Sequence, residues 1–246
     1  MAGAVRDQGR EPSPGRVRGW AWAGLVAQVA FVLGWLVAAA WQPPGYSVLA
    51  HSISDMYAVT APHAWFLVVL LTLCGAATVG FALLSVRPVL RGPGRRGGVA
   101  AVLLAVSIFG LGDLLSPFEQ EACQAADPSC SPADQVANLG GTLDGILSTV
   151  GVLALAVGGF VLASALRRLP AWSGRATTAR VLTVLFVVAF LATGFLGGAL
   201  GLGGLFERLL ALVGAVGLAL LAWGVLRRTG PATGARGVSP GARPPA

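Results

Sequence analysis

The residues best suited to chemistry lie in polar stretches that interrupt an otherwise apolar chain. The first is His51-Ser52-Ile53-Ser54-Asp55, followed by Pro62 and His63. In a helical turn His51 and Asp55 would share a face, and a carboxylate against imidazole fixes the tautomer that acid/base catalysis or metal ligation requires. Ser52 or Ser54 would then supply a nucleophile or a hydrogen-bond donor. In the plainer role, Ser54 and Asp55 cap a short interfacial helix and His51 satisfies a loop carbonyl.

Asp113 and Asp144 fall just inside the limits of apolar stretches, where an unpartnered carboxylate costs up to roughly 3 kcal/mol. Asp113 shortly precedes Pro117 and Asp144 shortly follows Leu139, so the two could reach similar depth beneath the His51 segment. If they converge, a cation, His51 or a shared proton has to neutralise them. If they are shallow, interfacial water or a helix-end amide suffices. Asn138 and Thr142 would add polar contacts on the same approach.

Cys123 and Cys130 stand close enough in sequence for a disulfide that staples their loop, given an oxidising compartment. Cys74, alone in an apolar stretch, reads as a small buried hydrophobe. Three cysteines and two histidines make a poor zinc site, and neither a metal nor another cofactor is expected.

The elements that must position these residues follow from charge. All 17 basic residues are arginines, and all but Arg208 fall into four clusters. These are Arg6, Arg10, Arg16 and Arg18; Arg87, Arg91, Arg95 and Arg96; Arg167, Arg168, Arg175 and Arg180; and Arg227, Arg228, Arg236 and Arg243. Between them lie six apolar segments, at about 20–40, 63–86, 98–115, 139–166, 181–200 and 206–226, each able to cross roughly 30 Å of hydrocarbon as a helix. Arginines near spans are retained in the cytoplasm, so the expected fold is an all-α bundle of six transmembrane helices with both termini inside. Residues 1–19 form a basic cytoplasmic tail, 20–226 the membrane domain and 227–246 a disordered cytoplasmic tail. Eight of the ten acidic residues then belong to the outer half: Asp55, Asp113, Glu119, Glu121, Asp127, Asp134, Asp144 and Glu207. Arg208 is the exception to the arginine pattern, and the adjacent Glu207 is expected to offset its charge.

Composition agrees. With 55% hydrophobic and 11% charged residues and 35 glycines in 246, the chain belongs in lipid. Its net charge of +7 does not indicate a nucleic-acid partner, because the arginines sit at span ends instead of forming one patch. Membrane lipid is the expected partner. Abundant Ala, Gly, Arg and Pro without lysine suggest a GC-rich bacterial genome, hence a plasma-membrane location. The first apolar segment is too long for the core of a cleaved signal peptide, and Trp20, Trp22, Trp35 and Trp41 bracket it as interfacial anchors.

Gly194, Gly197, Gly198 and Gly201 are read as helix-packing positions, as are Gly151, Gly158 and Gly159 and then Gly214 and Gly217. Gln28, Thr183 and Thr193 are read as interhelical hydrogen-bonding groups. Ser131-Pro132-Ala133-Asp134 has the form of a helix start, so the fourth span is expected to project beyond the membrane before Leu139.

At His51-Ser52-Ile53-Ser54-Asp55, Pro62 and Gly112-Asp113 through Ser116-Pro117-Phe118-Glu119, the chain resembles a bacterial six-span membrane family known as domain of unknown function 998. Its members share an Ile-Ser-Asp signature after the first span and a Phe-Pro-like acidic segment after the third. Ile53-Ser54-Asp55 is also remotely reminiscent of the Frag1/DRAM/Sfk1 membrane proteins. The resemblance covers most of 20–226 and implies the architecture and the importance of Ser54, Asp55 and Asp113, without a reaction. The family often has a histidine early in span four, where this chain has Asp144. Seven-span ceramidase-like metallohydrolases use three histidines in one zinc site, and this chain has two.

The leading expectation is recognition of a lipid or lipid-linked headgroup at the outer leaflet by His51, Ser52, Ser54, Asp55, His63, Asp113 and Asp144. A membrane-embedded hydrolase or transferase would instead use His51 with Ser52 or Ser54 and the aspartates. A proton-coupled small-molecule transporter would use Asp113 and Asp144 as carriers, although the inner halves of the spans offer no ionisable path. On a background without reactive thiols, His51→Cys should label from outside intact cells and Arg91→Cys only after permeabilisation. Labelling of both from one side would refute the topology.

Overall fold

Lipid offers no partner to a backbone amide, so apolar segments of this length close their hydrogen bonds within themselves as helices. The computed structural model describes residues 13–91 and 95–229, which are mostly helical with no strand among them. Six helices are long and apolar enough to cross a membrane: α1 (Pro14–Trp41), α2 (Ala64–Val89), α3 (Arg96–Phe118), α4 (Leu139–Arg167), α5 (Pro170–Leu200) and α6 (Gly203–Arg228). The protein is a multi-pass membrane protein. Each helix packs on its neighbour in sequence, and α6 returns to α1, closing the ring. Phe31 of α1 meets Phe109 of α3 edge to face inside it, with centroids 5.1 Å apart. Val26, Leu33, Leu73, Val157 and Val188 point outward, as lipid-facing positions should.

Up-and-down connectivity collects the described members of the arginine clusters at one end. Arg18 of α1 reaches Thr229 O after α6, and Arg96 of α3 donates to Ser164 Oγ of α4 at 2.7 Å. Several boundaries differ from the sequence expectation. α1 begins at Pro14, not at residue 20, and α5 begins at Pro170, not at 181. Both added turns carry arginines, which a hydropathy reading assigns to loops although their long stems allow the helix to continue. Arg227 and Arg228 still belong to α6. The disordered-tail expectation for the C-terminus otherwise falls on 230–246, outside the described residues, as do Arg6, Arg10, Arg236 and Arg243.

α3 is broken where a continuous span was expected. After Ala105 the chain leaves the helix, Ser107 is extended (φ −69°, ψ 172°), and Ile108–Gly112 forms a π turn. Non-helical backbone at this depth is tolerated only when enclosed by protein. Ser107 is fully buried, and its hydroxyl bonds Leu104 O at 2.8 Å. A π turn adds a residue and rotates everything after it by about 100°, which here sets the aim of Asp113. Gly75 of α2 lies against this turn: a Cβ there would be 2.6 Å from Gly110 O and 2.8 Å from Asp113 C.

The other glycines divide. Gly151 packs on Ile108 and Gly158 on Leu103. Gly214 faces Phe109, and Gly197 meets Gly203. Gly194 and Gly198 face open space and are not packing positions, because the π turn Thr193–Gly197 shifts their register. Gly201 is the left-handed turn residue (φ 65°) of the α5–α6 hairpin, again with open space around it. Gln28 does donate between helices, to Thr78 Oγ1 at 3.0 Å, but Thr183 and Thr193 bond their own helix at Ala179 O and Ala189 O. Trp35 is buried, so it is not an interfacial anchor.

Gly75→Ala is expected to cost about 1–3 kcal/mol through overpacking against α3, whereas Gly198→Ala should be neutral or stabilising by about 0.5 kcal/mol. Unfolding of the detergent-solubilised protein by heat or SDS measures both, and equal effects would refute the α2–α3 contact.

Candidate functional site

At the end opposite the arginines, residues 42–63 and 119–138 fold over the bundle as two cap loops. Loop backbone has to find partners for its amides, and here the two loops satisfy each other. Val59 N donates to Glu121 O, Gln124 N to Thr60 Oγ1 and Gln120 Nε2 to Tyr57 O, at 2.8–2.9 Å. Ala125 N donates to Asp55 Oδ1. Cys123 and Cys130 lie at disulfide distance with Cα atoms 6.0 Å apart, closing the second loop.

The first loop is also tied to α6. Arg208 Nη1 donates to Val48 O, His51 O and Gly204 O at 2.7–2.9 Å, Nη2 donates to the Tyr46 hydroxyl, and the guanidinium lies over Trp35 and Tyr46. Glu207 turns the other way and accepts from Ile53 N at 3.1 Å. The opposite charges of Glu207 and Arg208 still act on one another as expected, but the side chains make separate bonds to the loop, because neighbouring helix positions point about 100° apart.

The His51 run does not form the expected turn. His51 Nδ1 accepts from Ser47 N at 2.9 Å, and its ring lies against Tyr46. The helical turn starts only at Ser54–Tyr57, a 3-10 turn capped by Ser52 Oγ accepting from Asp55 N at 3.0 Å. Because helical geometry begins after His51, no helical i to i+4 relation aligns it with Asp55. The capping role falls to Ser52, while Ser54 Oγ contacts Ser52 Oγ and donates to Glu121 Oε1 at 3.1 Å.

Beneath the loops the acids gather. Tyr57 OH donates to Asp144 Oδ1 at 3.2 Å, and Asp113 and Glu119 lie close enough to act on the same phenol. Burial first, then these three carboxylates, raise the Tyr57 pKa well above its ordinary value. Burial followed by the Asp144 charge pushes Glu119 up to about 8. Burial, Asp144, Asp55 and Glu207 raise Glu121 to about 7 against the Ser54 hydrogen bond. Asp55 is also raised by burial, against its backbone bonds and His51. Glu119 Oε1 and Asp55 Oδ2 are buried without a partner among the described residues. Among those residues no three His, Cys, Asp or Glu side chains form a metal-holding group.

The structure thus brings His51, Ser52, Ser54, Asp55, Asp113 and Asp144 into or beside one cap. His63 stands apart, exposed on the rim in left-handed backbone (φ 54°) with its ring edge-on to Trp41. Asn138 caps α4 by accepting from Gly141 N and also holds Gln120 O, while Thr142 bonds local backbone; neither enters the cluster. Ser131 and Asp134 form a capping box, but their helix ends at Gln135 and does not continue into α4. Sequence reasoning missed Tyr57, Glu119, Glu121, Glu207 and the clamp role of Arg208. The available signal was that all eight acids outside the N-terminal tail fall on one side of the expected topology.

Between its ordinary value of 4.5 and about 8, the folded chain holds a proton on Glu119 that the unfolded chain releases. Stability is then greatest below that window and falls as pH rises through it, and Glu121 adds to the same trend up to about 7. The melting temperature in detergent should therefore drop between about pH 5 and about pH 8.5, and Glu119→Gln should flatten the drop. A melting temperature that rises over this range would contradict the assignment.

The family model described as Protein of unknown function (DUF998) matches residues 25–224, and the chain belongs to this family. No curated protein matches the chain, and neither does any solved structure.

Proposed function

We propose that this DUF998 member lies in the bacterial plasma membrane with both termini cytoplasmic, its arginine-bearing end retained inside, and that its cap recognises a lipid or lipid-linked headgroup at the outer leaflet. The headgroup is one that supplies a cation or hydrogen-bond donors. One observation carries this reading: carboxyl groups from both cap loops and from α3, α4 and α6 lie close enough to act on one another's charge, and Asp55 Oδ2 and Glu119 Oε1 are buried without donors among the described residues. Buried acceptors left unsatisfied are costly, and a donor-bearing headgroup would relieve them. Exposed Trp65, Phe118 and Leu139 near the cap provide an apolar rim for the acyl chains of such a molecule.

A hydrolase would need His51 to activate a serine. His51 Nδ1 instead accepts from Ser47 N, while the Ser52 and Ser54 hydroxyls bond one another and Glu121, which lends that alternative less support.

Lipids retained by the purified protein should include one with an amine-bearing or hydroxyl-rich headgroup. Asp55→Asn and Glu119→Gln should each reduce its retention about tenfold, the value of one hydrogen bond to a charged group. Unchanged lipid mass spectra from both variants, with the fold intact, would refute the reading.

A further inference from the structure

A second feature lies at the arginine-bearing end, away from the cap. Between α3, α4, α5 and α6 runs a cavity of about 230 Å³. Leu162, Phe186 and Leu218 form its walls, and Trp172, Arg175 and Trp223 lie at one end. Along α5 it extends from Arg175 to Phe186, roughly 16 Å of helix at 1.5 Å per residue. Leu220 and Trp223 on its lining are 45% and 41% exposed, so it opens sideways to the surroundings of the bundle. An apolar cavity of this kind gives water too few hydrogen bonds to hold it. A hydrocarbon chain entering from the side would fill it.

The charged end has the complementary chemistry for an anion. The Arg175 guanidinium sits 5.3 Å from the Trp172 ring centroid, and the Arg228 guanidinium sits 4.5 Å from the same ring. Arg227 stacks over Trp223 at 5.2 Å. Stacking on indole orients each guanidinium without neutralising it. Arg175 Nη1 is buried and has no hydrogen-bond partner among the described residues. No acidic residue occurs from 145 to 206 or after Glu207, so the helices around this cavity carry no carboxylate at their arginine-bearing ends. Arg175 on the lining, with Arg227 and Arg228 stacked on the Trp223 and Trp172 that line the same end, suits an anion attached to a hydrocarbon.

We propose that this cavity is a binding site for one anionic phospholipid of the leaflet at the arginine-bearing end. Its phosphate accepts from Arg175, with Arg227 and Arg228 adding charge, and one acyl chain lies between α5 and α6 toward Phe186. Basic pockets between membrane helices favour anionic headgroups for the same electrostatic reason. The site is independent of the cap: here the anion of the headgroup is read by arginines, whereas at the cap donors of the headgroup would meet carboxyls.

Native mass spectrometry of the full-length protein, titrated with dioleoylphosphatidylglycerol or dioleoylphosphatidylethanolamine, tests the proposal. The anionic lipid should give a high-affinity adduct that Arg175→Ala weakens about tenfold and that phosphatidylethanolamine does not give. Gly217→Leu provides the second arm: a Cβ there meets nothing nearer than Leu182 at 4.0 Å, so a larger side chain enters the cavity without striking backbone. It should abolish the adduct while leaving the arginines and the melting temperature intact. Adducts of both lipids that Arg175→Ala weakens equally, an anionic-lipid adduct unaltered in Gly217→Leu, or full competition by inorganic phosphate would each overturn the proposal. Glu119→Gln should leave this adduct unchanged, which separates it from the cap site.

Discussion

A guanidinium carried into the buried end of a helical bundle has to be surrounded by acceptors, and that requirement on Arg208 organises the cap. Three backbone carbonyls, Val48 O, His51 O and Gly204 O, turn toward one nitrogen, and the Tyr46 hydroxyl meets the other. Removing water from a charge costs several kcal/mol unless such bonds replace it, so the first loop is drawn onto the start of α6. Gly204 and Leu205 amides then pair with Ala50 and Leu49 carbonyls, extending the same attachment. With the loop held there, Ile53 N meets Glu207, and the 3-10 turn projects Tyr57 down to Asp144.

The remainder of the cap follows from fitting the second loop to this fixed first one. Asp55 accepts from the Ala125 amide, and Glu121 is shared between Ser54 and Gln135. Gathering the carboxyls in this way raises their proton affinity, because burial and like charge both disfavour ionisation. The break and π turn in α3 serve the same cluster from below, since they determine which way Asp113 faces. Gly75 on α2 makes room for that irregular turn.

The two ends of the molecule therefore solve opposite electrostatic problems. The cap concentrates acids, two of whose oxygens lack donors among the described residues, whereas the other end stacks arginines on Trp172 and Trp223 with no nearby acid on the helices concerned. The two ends thus differ in charge, and in a protein that spans the membrane each faces a different membrane surface.

The number of spans and the segregation of charge were legible from the chain alone, because twenty apolar residues and the position of an arginine are properties of composition along a line. The Cys123–Cys130 pairing and the Gln28 contact were legible for a similar reason, since few other partners existed. The starts of α1 and α5 were not, because their first turns carry arginines whose stems permit helix where hydropathy suggests loop. Nor were the partners of His51, Glu119 and Arg208: each depends on where a loop without periodicity comes to rest, and that is decided by burying charge against backbone from distant parts of the chain. The sequence determined that eight of the ten acids and all the arginines but Arg208 would fall at opposite ends, whereas only the tertiary structure decided which side chains would stand without a partner among the described residues.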